Sequence, residues 1–284
     1  RKDKNLQLKN MNIFEMMKGR NLVNALGIPA WLFLIYRGDL YYSIFMLICI
    51  GIALGEFYSL MERKGAEPLR LLGMASSVFI ADYYYVQPEN TSHQVMGAII
   101  LIVLLACIWE LFTPNLNPGQ NLSATFAGIL FVPVLLGTAI DLRQFDSYME
   151  TNLTFAIVIS VWVCDSFAFI FGTKFGDKKI LPNISPKKSW VGSISGFFGS
   201  FLVFYVFYSN NILGDIFSLK DYVAFSIITG FFGQMGDFTE SMLKRDAGVK
   251  DSGNILYGHG GVLDRFDSLI FAMPLTYLYV HFLM

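Results

Sequence analysis

Long apolar runs alternate with short polar breaks along almost the whole of this 284-residue chain. Runs of about 20 residues with few charges match the thickness of a hydrocarbon core. Here they predict helices at 21–36, 40–61, 71–87, 95–112, 122–140, 153–172, 190–208, 221–236 and 266–283. The expected fold is all-α, a polytopic membrane bundle of about nine transmembrane helices. Pro29 in the short first run predicts a tilted or partly re-entrant segment. Residues 1–20 are basic with scattered Met, Ile and Phe, the pattern of an interfacial helix or a cytoplasmic tail. The remainder divides by composition into an apolar N-terminal bundle, 21–150, and a C-terminal half, 151–284, that carries nearly all the patterned polar residues.

Composition agrees with this division. Only 15% of residues are charged and 54% are hydrophobic, against roughly 25% charged in soluble domains. A net charge of −1 argues against a nucleic-acid partner. Cys49, Cys107 and Cys164 each lie inside an apolar run, without metal-ligand spacing. The polar first 20 residues are not the pattern of a cleavable signal.

Cytoplasmic segments of membrane proteins are enriched in Lys and Arg. With the N-terminus in the cytoplasm and sides alternating after each span, 18 of the 21 cations fall inside. They lie in the tail and at 63–70, 173–188 and 244–265, leaving Arg37, Arg143 and Lys220 outside. This orientation faces the stretch 241–267 to the cytoplasm, where nucleotides are.

That stretch holds Lys244, Arg245, Lys250 and Arg265, four aspartates, His259 and Gly258-His259-Gly260-Gly261. Just before it, helical spacing would place Asp237, Ser241 and Lys244 on one stripe with Glu240 beside them. A carboxylate, a hydroxyl and an ammonium so arranged suit a divalent metal together with a phosphate; ordinary ion pairing at a helix end is the plainer alternative. The glycines of GHGG permit close approach of backbone to a ligand. A helix beginning near Val262 would turn free N–H groups toward an anion there, with Asp264 positioned for a bridging Mg²⁺ and Arg265 offering a bidentate fork. His259 could orient a phosphate oxygen or take a proton. Farther upstream, Asp165 sits inside an apolar run, where a lone carboxylate is costly. Ser185-Pro186-Lys187-Lys188-Ser189 reads either as a clamp for an anionic headgroup or triphosphate, or as juxtamembrane charge that sets topology. Glu56, Asp82 and Glu110 are expected to snorkel or pair near span ends, and His93 and His281 to be isolated on the outer side.

Ser241-x-x-Lys244-Arg245, Lys250-Asp251-Ser252-Gly253 and Gly258-His259-Gly260-Gly261-x-x-Asp264-Arg265-x-Asp267 together resemble the signature of the phosphatidate cytidylyltransferase (CDP-diacylglycerol synthase) family. Asp165-Ser166-x-Ala168, Gly172-x-x-Phe175-Gly176 and Ser185-Pro186-Lys187-Lys188-Ser189 resemble it in the same order, so the likeness covers about 155–275. It implies that CTP and phosphatidate, a membrane lipid, give CDP-diacylglycerol and pyrophosphate with Mg²⁺. It also implies a second, monovalent cation such as K⁺, a homodimer, and a place in the bacterial cytoplasmic (inner) membrane. By resemblance Asp237 and Asp264 hold the metal, with Lys244, Arg245 and Arg265 around the phosphates. Asp165, Ser166, Lys187, Lys188, Ser189, Ser241, Lys250, Asp251, Gly258, Gly260, Gly261 and Asp267 are carried over as substrate contacts.

Three positions depart from the family pattern: Val191 replaces a glutamate before Gly192, Tyr257 a proline before Gly258, and Phe169 an aromatic hydroxyl. The first removes a carboxylate near the basic loop. Rival readings are a CTP-dependent polyprenol or phytol kinase, a transporter with Asp165 and Asp237 as ion sites, and an inactive scaffold. The transporter reading would be favoured by inverted repeats, and none is evident.

Overall fold

The computed structural model describes residues 27–87, 92–113, 117–255 and 260–284. Most of these residues are helical, and none belongs to a strand. The expected tail at 1–20, and Tyr257, Gly258 and His259, lie outside the described residues.

In chain order the helices are α1 (27–37), α2 (Asp39–Arg63), α3 (Arg70–Val86), α4 (Ser92–Phe112), α5 (Pro118–Met149) and α6 (Leu153–Phe175). Then come α7 (Trp190–Ser209), α8 (219–246), a short α9 (Leu263–Phe266) and α10 (Leu269–Phe282). Among the described residues, α2, α4 from His93, α5, α6 and α7 are long and apolar enough to cross a membrane, and α10 is apolar but shorter. The chain is an all-α integral membrane protein, as its pattern predicts. The expected count of nine spans rests further on α1, α3, α8 and α10, which are shorter or more polar than those five.

Two helices run past the apolar boundaries that defined them. The run expected at 122–140 continues as helix to Met149, where Asp146 accepts the first free N–H groups of α6, Leu153 N at 2.7 Å and Thr154 N at 2.8 Å. The run expected at 221–236 continues to Asp246, through Glu240 and Lys244, which pair one turn apart. A capping box of Ser218 and Asp221 starts α8.

The closest helix pair is α6 against α7, because small residues let the backbones meet. A Cβ on Gly192 would lie 2.8 Å from the Ala168 carbonyl, and one on Gly196 would lie 2.9 Å from the Cys164 carbonyl. Backbone cannot retreat as a side-chain tip can, so Gly196→Ala should cost about 1–3 kcal/mol, read as a lower thermal midpoint in detergent. An unchanged midpoint would mean that this contact is not close-packed.

Where α8 joins this pair it makes a π turn, Ile228–Phe232. Such a turn leaves backbone carbonyls short of helical partners, and here the Gln234 amide donates to Gly230 O at 2.5 Å. Beside it, Ser160, Ser200 and Thr229 hydroxyls satisfy one another at 2.7–3.2 Å in a buried knot.

Polar contacts sort to the two ends of the bundle. At one end Asp141 meets His281 (2.6 Å) and Gln87 (2.7 Å), Tyr85 meets Asp39 (2.8 Å), and Arg143 donates to Ile35 O (2.6 Å). His281 is therefore not isolated, as expected from sequence, but paired with a carboxylate contributed by α5. At the opposite end Lys64 meets Asp246 (2.9 Å) and Gln120 donates to Lys64 O (3.0 Å). Among the described residues, Arg143 and Lys64 thus make their contacts at opposite ends. Between them one buried apolar cluster runs from Ile35 to Val280, with Trp31 of α1 against Trp162 and Phe266.

Candidate active site

At the cation-rich end, the polar residues of the C-terminal half form two layers. The inner layer is built on the turn that leads into α9. Gly260 has φ +78°, a region open chiefly to glycine, and a Cβ there would lie 2.6 Å from Asp264. The Asp264 carboxylate turns back onto this loop. It accepts Gly261 N at 2.7 Å, Ser252 N at 2.9 Å and the Ser252 hydroxyl at 2.9 Å through one oxygen, and Lys244 Nζ at 2.5 Å through the other. Lys244 is 8% exposed and bridges to Glu240 Oε2 at 2.5 Å; Glu240 is wholly buried. Burial opposes the charge on Asp264, yet the Lys244 ammonium and the Gly261 N–H hold its pKa below the ordinary value.

The outer layer is accessible. Asp237, half-buried on α8, forms an ion pair with Lys188 of the loop before α7, and the Lys188 ammonium also sits 4.4 Å from the centre of the Phe238 ring. Ser241 donates weakly to Asp237 at 3.4 Å. Asp165 on α6 lies within electrostatic reach of Asp237, Lys188 and Arg265, and Asp267 within reach of Asp237, Asp165 and Glu240. Three carboxylates and two cations from four separate elements therefore share one face.

The sequence-predicted residues distribute unevenly over these layers. Asp165, Lys188, Asp237, Arg265 and Asp267 come together in the outer layer; Lys244, Gly261 and Asp264 meet in the inner one. Lys244 leaves the expected stripe with Asp237 and pairs inward, because Glu240 and Asp264 offer it two buried carboxylates. Ser189 caps α7 by accepting Gly192 N at 3.2 Å, and Ser166 donates to Trp162 O of its own helix. Arg245 donates to Ile184 O (3.2 Å) and Val249 O (2.6 Å), tying the basic loop to α8. Lys187, Lys250 and Asp251 are exposed at the rim, and Val191 is exposed on the first turn of α7.

The residue that sequence reading passed over is Glu56 of α2. Of the two expected outcomes it pairs and does not snorkel, and it does so inside the helix and not at its end: it is 5% exposed and accepts Val262 N at 3.0 Å and Leu263 N at 2.8 Å. The signal was present, since a carboxylate inside an apolar run points to a polar partner at that depth.

This fold and site define a class, an integral membrane enzyme whose interleaved carboxylates and cations gather at one end of a helical bundle. The cytidylyltransferase family model matches residues 18–283. The chain is 33% identical to the phosphatidate cytidylyltransferase of Bacillus subtilis (strain 168), over 92% of this chain and 96% of the relative. It is 30% identical to that of Synechocystis sp. (strain ATCC 27184 / PCC 6803 / Kazusa), over 93% and 97%, and 32% identical to that of Staphylococcus aureus (strain COL), over 91% and 97%. The chain belongs to the cytidylyltransferase family and is a nucleotidyltransferase.

Proposed function

We propose that this protein transfers the cytidylyl group of CTP to phosphatidate at the cytoplasmic face of a bacterial cytoplasmic membrane, releasing pyrophosphate and CDP-diacylglycerol. The observation that carries the reading is the meeting of the basic loop with the motif 237–267, through Lys188 on Asp237, in a chain whose full-length relatives bear that enzyme name. A phosphate oxygen of the lipid attacks the α-phosphorus of CTP; the new P–O bond forms as the bond from that phosphorus to the β-phosphate oxygen breaks, and pyrophosphate leaves with the electron pair. A lipid phosphate is already ionised near neutral pH, so the protein's task is to bring two polyanions together and offset their charge. Lys188 and Arg265 are the accessible cations placed to do so, with Lys187 and Lys250 at the rim.

Mg²⁺ is the cofactor we propose, and the donors suit it chemically, being carboxylates around anionic substrates. Asp237 is reachable, and the Asp165 and Asp267 carboxyl groups lie within electrostatic reach of it. Asp264 is committed to Lys244, Ser252 and Gly261, so it would join a metal by exchanging the Lys244 ammonium. When bound, the metal would neutralise and orient the triphosphate.

The test is purified protein in detergent with phosphatidate, Mg²⁺ and CTP labelled at either the α or the γ phosphate. Label from the α position should enter lipid. Label entering only from the γ position would instead identify a lipid kinase. Lys188→Ala should raise the KM for an anionic substrate by about tenfold, the worth of one charged hydrogen bond, with kcat much less affected. A loss confined to kcat at saturating substrate would remove Lys188 from the binding role.

A further inference from the structure

We infer that Glu56, contributed by the N-terminal half, is a positioning residue for the reaction, because its carboxylate fixes the loop and helical turn that carry Asp264. This rests on the cytidylyl-transfer reading for its catalytic consequence, though its geometry stands by itself.

Both oxygens are used. Oε1 accepts Val262 N at 3.0 Å; Oε2 accepts Leu263 N at 2.8 Å and the Ser252 hydroxyl at 3.2 Å. Val262 and Leu263 open α9, where backbone N–H groups have no helical acceptor. Gly253 and Gly261 lie so close that a Cβ on either would run into the Glu56 carboxylate. Ser252 and Gly253 on one side, and Gly261, Val262 and Leu263 on the other, therefore close on a side chain of α2, about 200 positions earlier in the chain. Ser252 connects the two acids, since its hydroxyl reaches Oε2 of Glu56 and Oδ2 of Asp264. Asp264 in turn holds Lys244. A shift of α2 or loss of the carboxylate would reach Asp264 through one intervening residue, and small misplacements at a reacting centre are costly in rate.

The experiment compares wild type, Glu56→Gln and Glu56→Ala in detergent by steady-state kinetics and by hydrogen exchange of backbone amides. In Glu56→Ala, exchange should accelerate at the amides of 250–255 and 260–266 and stay unchanged in α6 and α7. Its kcat should fall roughly ten- to a hundredfold, as for other residues that orient ligating side chains, with KM changed much less. Glu56→Gln keeps one acceptor oxygen and should fall between the two. If Glu56→Ala does not fold, Gly253→Ala, which presses on the same carboxylate from the loop side, should give the same exchange and kcat pattern. Wild-type kinetics in Glu56→Gln, or exchange that rises evenly across all helices, would overturn the inference. If wild type itself forms no CDP-lipid, the cytidylyl-transfer reading fails, and local against uniform exchange still decides whether Glu56 positions the loop.

Discussion

Asp237→Asn should abolish turnover, by about a thousandfold or more, while leaving the bundle as stable as wild type. The magnitude is that expected when an electrostatic contributor to a transition state is lost. Asn keeps the shape of the carboxylate but not the charge that would hold a metal against CTP and answer Lys188. Stability should survive because Asp237 and Lys188 are both partly exposed, and exposed pairs contribute at most about 1 kcal/mol. The check is α-label transfer to lipid, alongside the thermal midpoint of the same preparation. Near-normal Mg²⁺-dependent turnover would show that Asp237 does not hold the metal.

Lys244→Met should have the other large effect, and on a different quantity. Methionine fills the space of the lysine stem but leaves Glu240 and Asp264 facing each other in the interior without a cation. Removing one member of a buried ion group costs roughly 3–5 kcal/mol, because the charge left behind has no solvent. The thermal midpoint in detergent should fall steeply, and activity should fall with the folded fraction and with the displacement of Asp264. Lys244→Arg, which keeps the charge in a bulkier form, should be milder. A midpoint unchanged in Lys244→Met would mean that the buried trio does not stabilise the fold. Asp237 and Lys244, seven positions apart on one helix, are thus expected to separate function from stability.

That separation was not visible in the linear pattern. Helical spacing puts Asp237, Ser241 and Lys244 on one stripe, and a stripe suggests one shared ligand. In the fold, Lys244 reaches Glu240 and Asp264 while Asp237 turns to Lys188. The choice depends on where α9 and the loop before α7 lie, which spacing along α8 does not encode. His281 and Glu56 illustrate the same limit: the first reads as isolated and the second as pairing with no partner named, and each is met by a residue more than 100 positions away.

Much else was legible. The apolar runs at 40–61, 95–112, 153–172 and 190–208 appear as helices within a few residues of their expected ends, because the length of an apolar run is set by the solvent around it and hardly by its neighbours. Among the described residues Arg143 and Lys64, which the charge count places on different sides, make their contacts at opposite ends of the bundle. Asp165 stands out in the sequence because an acid in an apolar run is expensive, and in the fold it lies within reach of Asp237, Lys188 and Arg265.

Sequence by itself therefore determined the solvent this chain is built for, the lengths of most of its helices, and the residues rich enough in charge to do chemistry. Those properties follow from local free energies, burial of apolar side chains and the cost of an isolated charge, that each segment carries with it. Tertiary structure alone decided which charges are buried and which are open, that Asp264 lies in an inner layer behind Asp237, and that Glu56 of the first half holds the loop of the second. Pairing energies depend on distance and on the exclusion of water, and neither exists until the helices have packed.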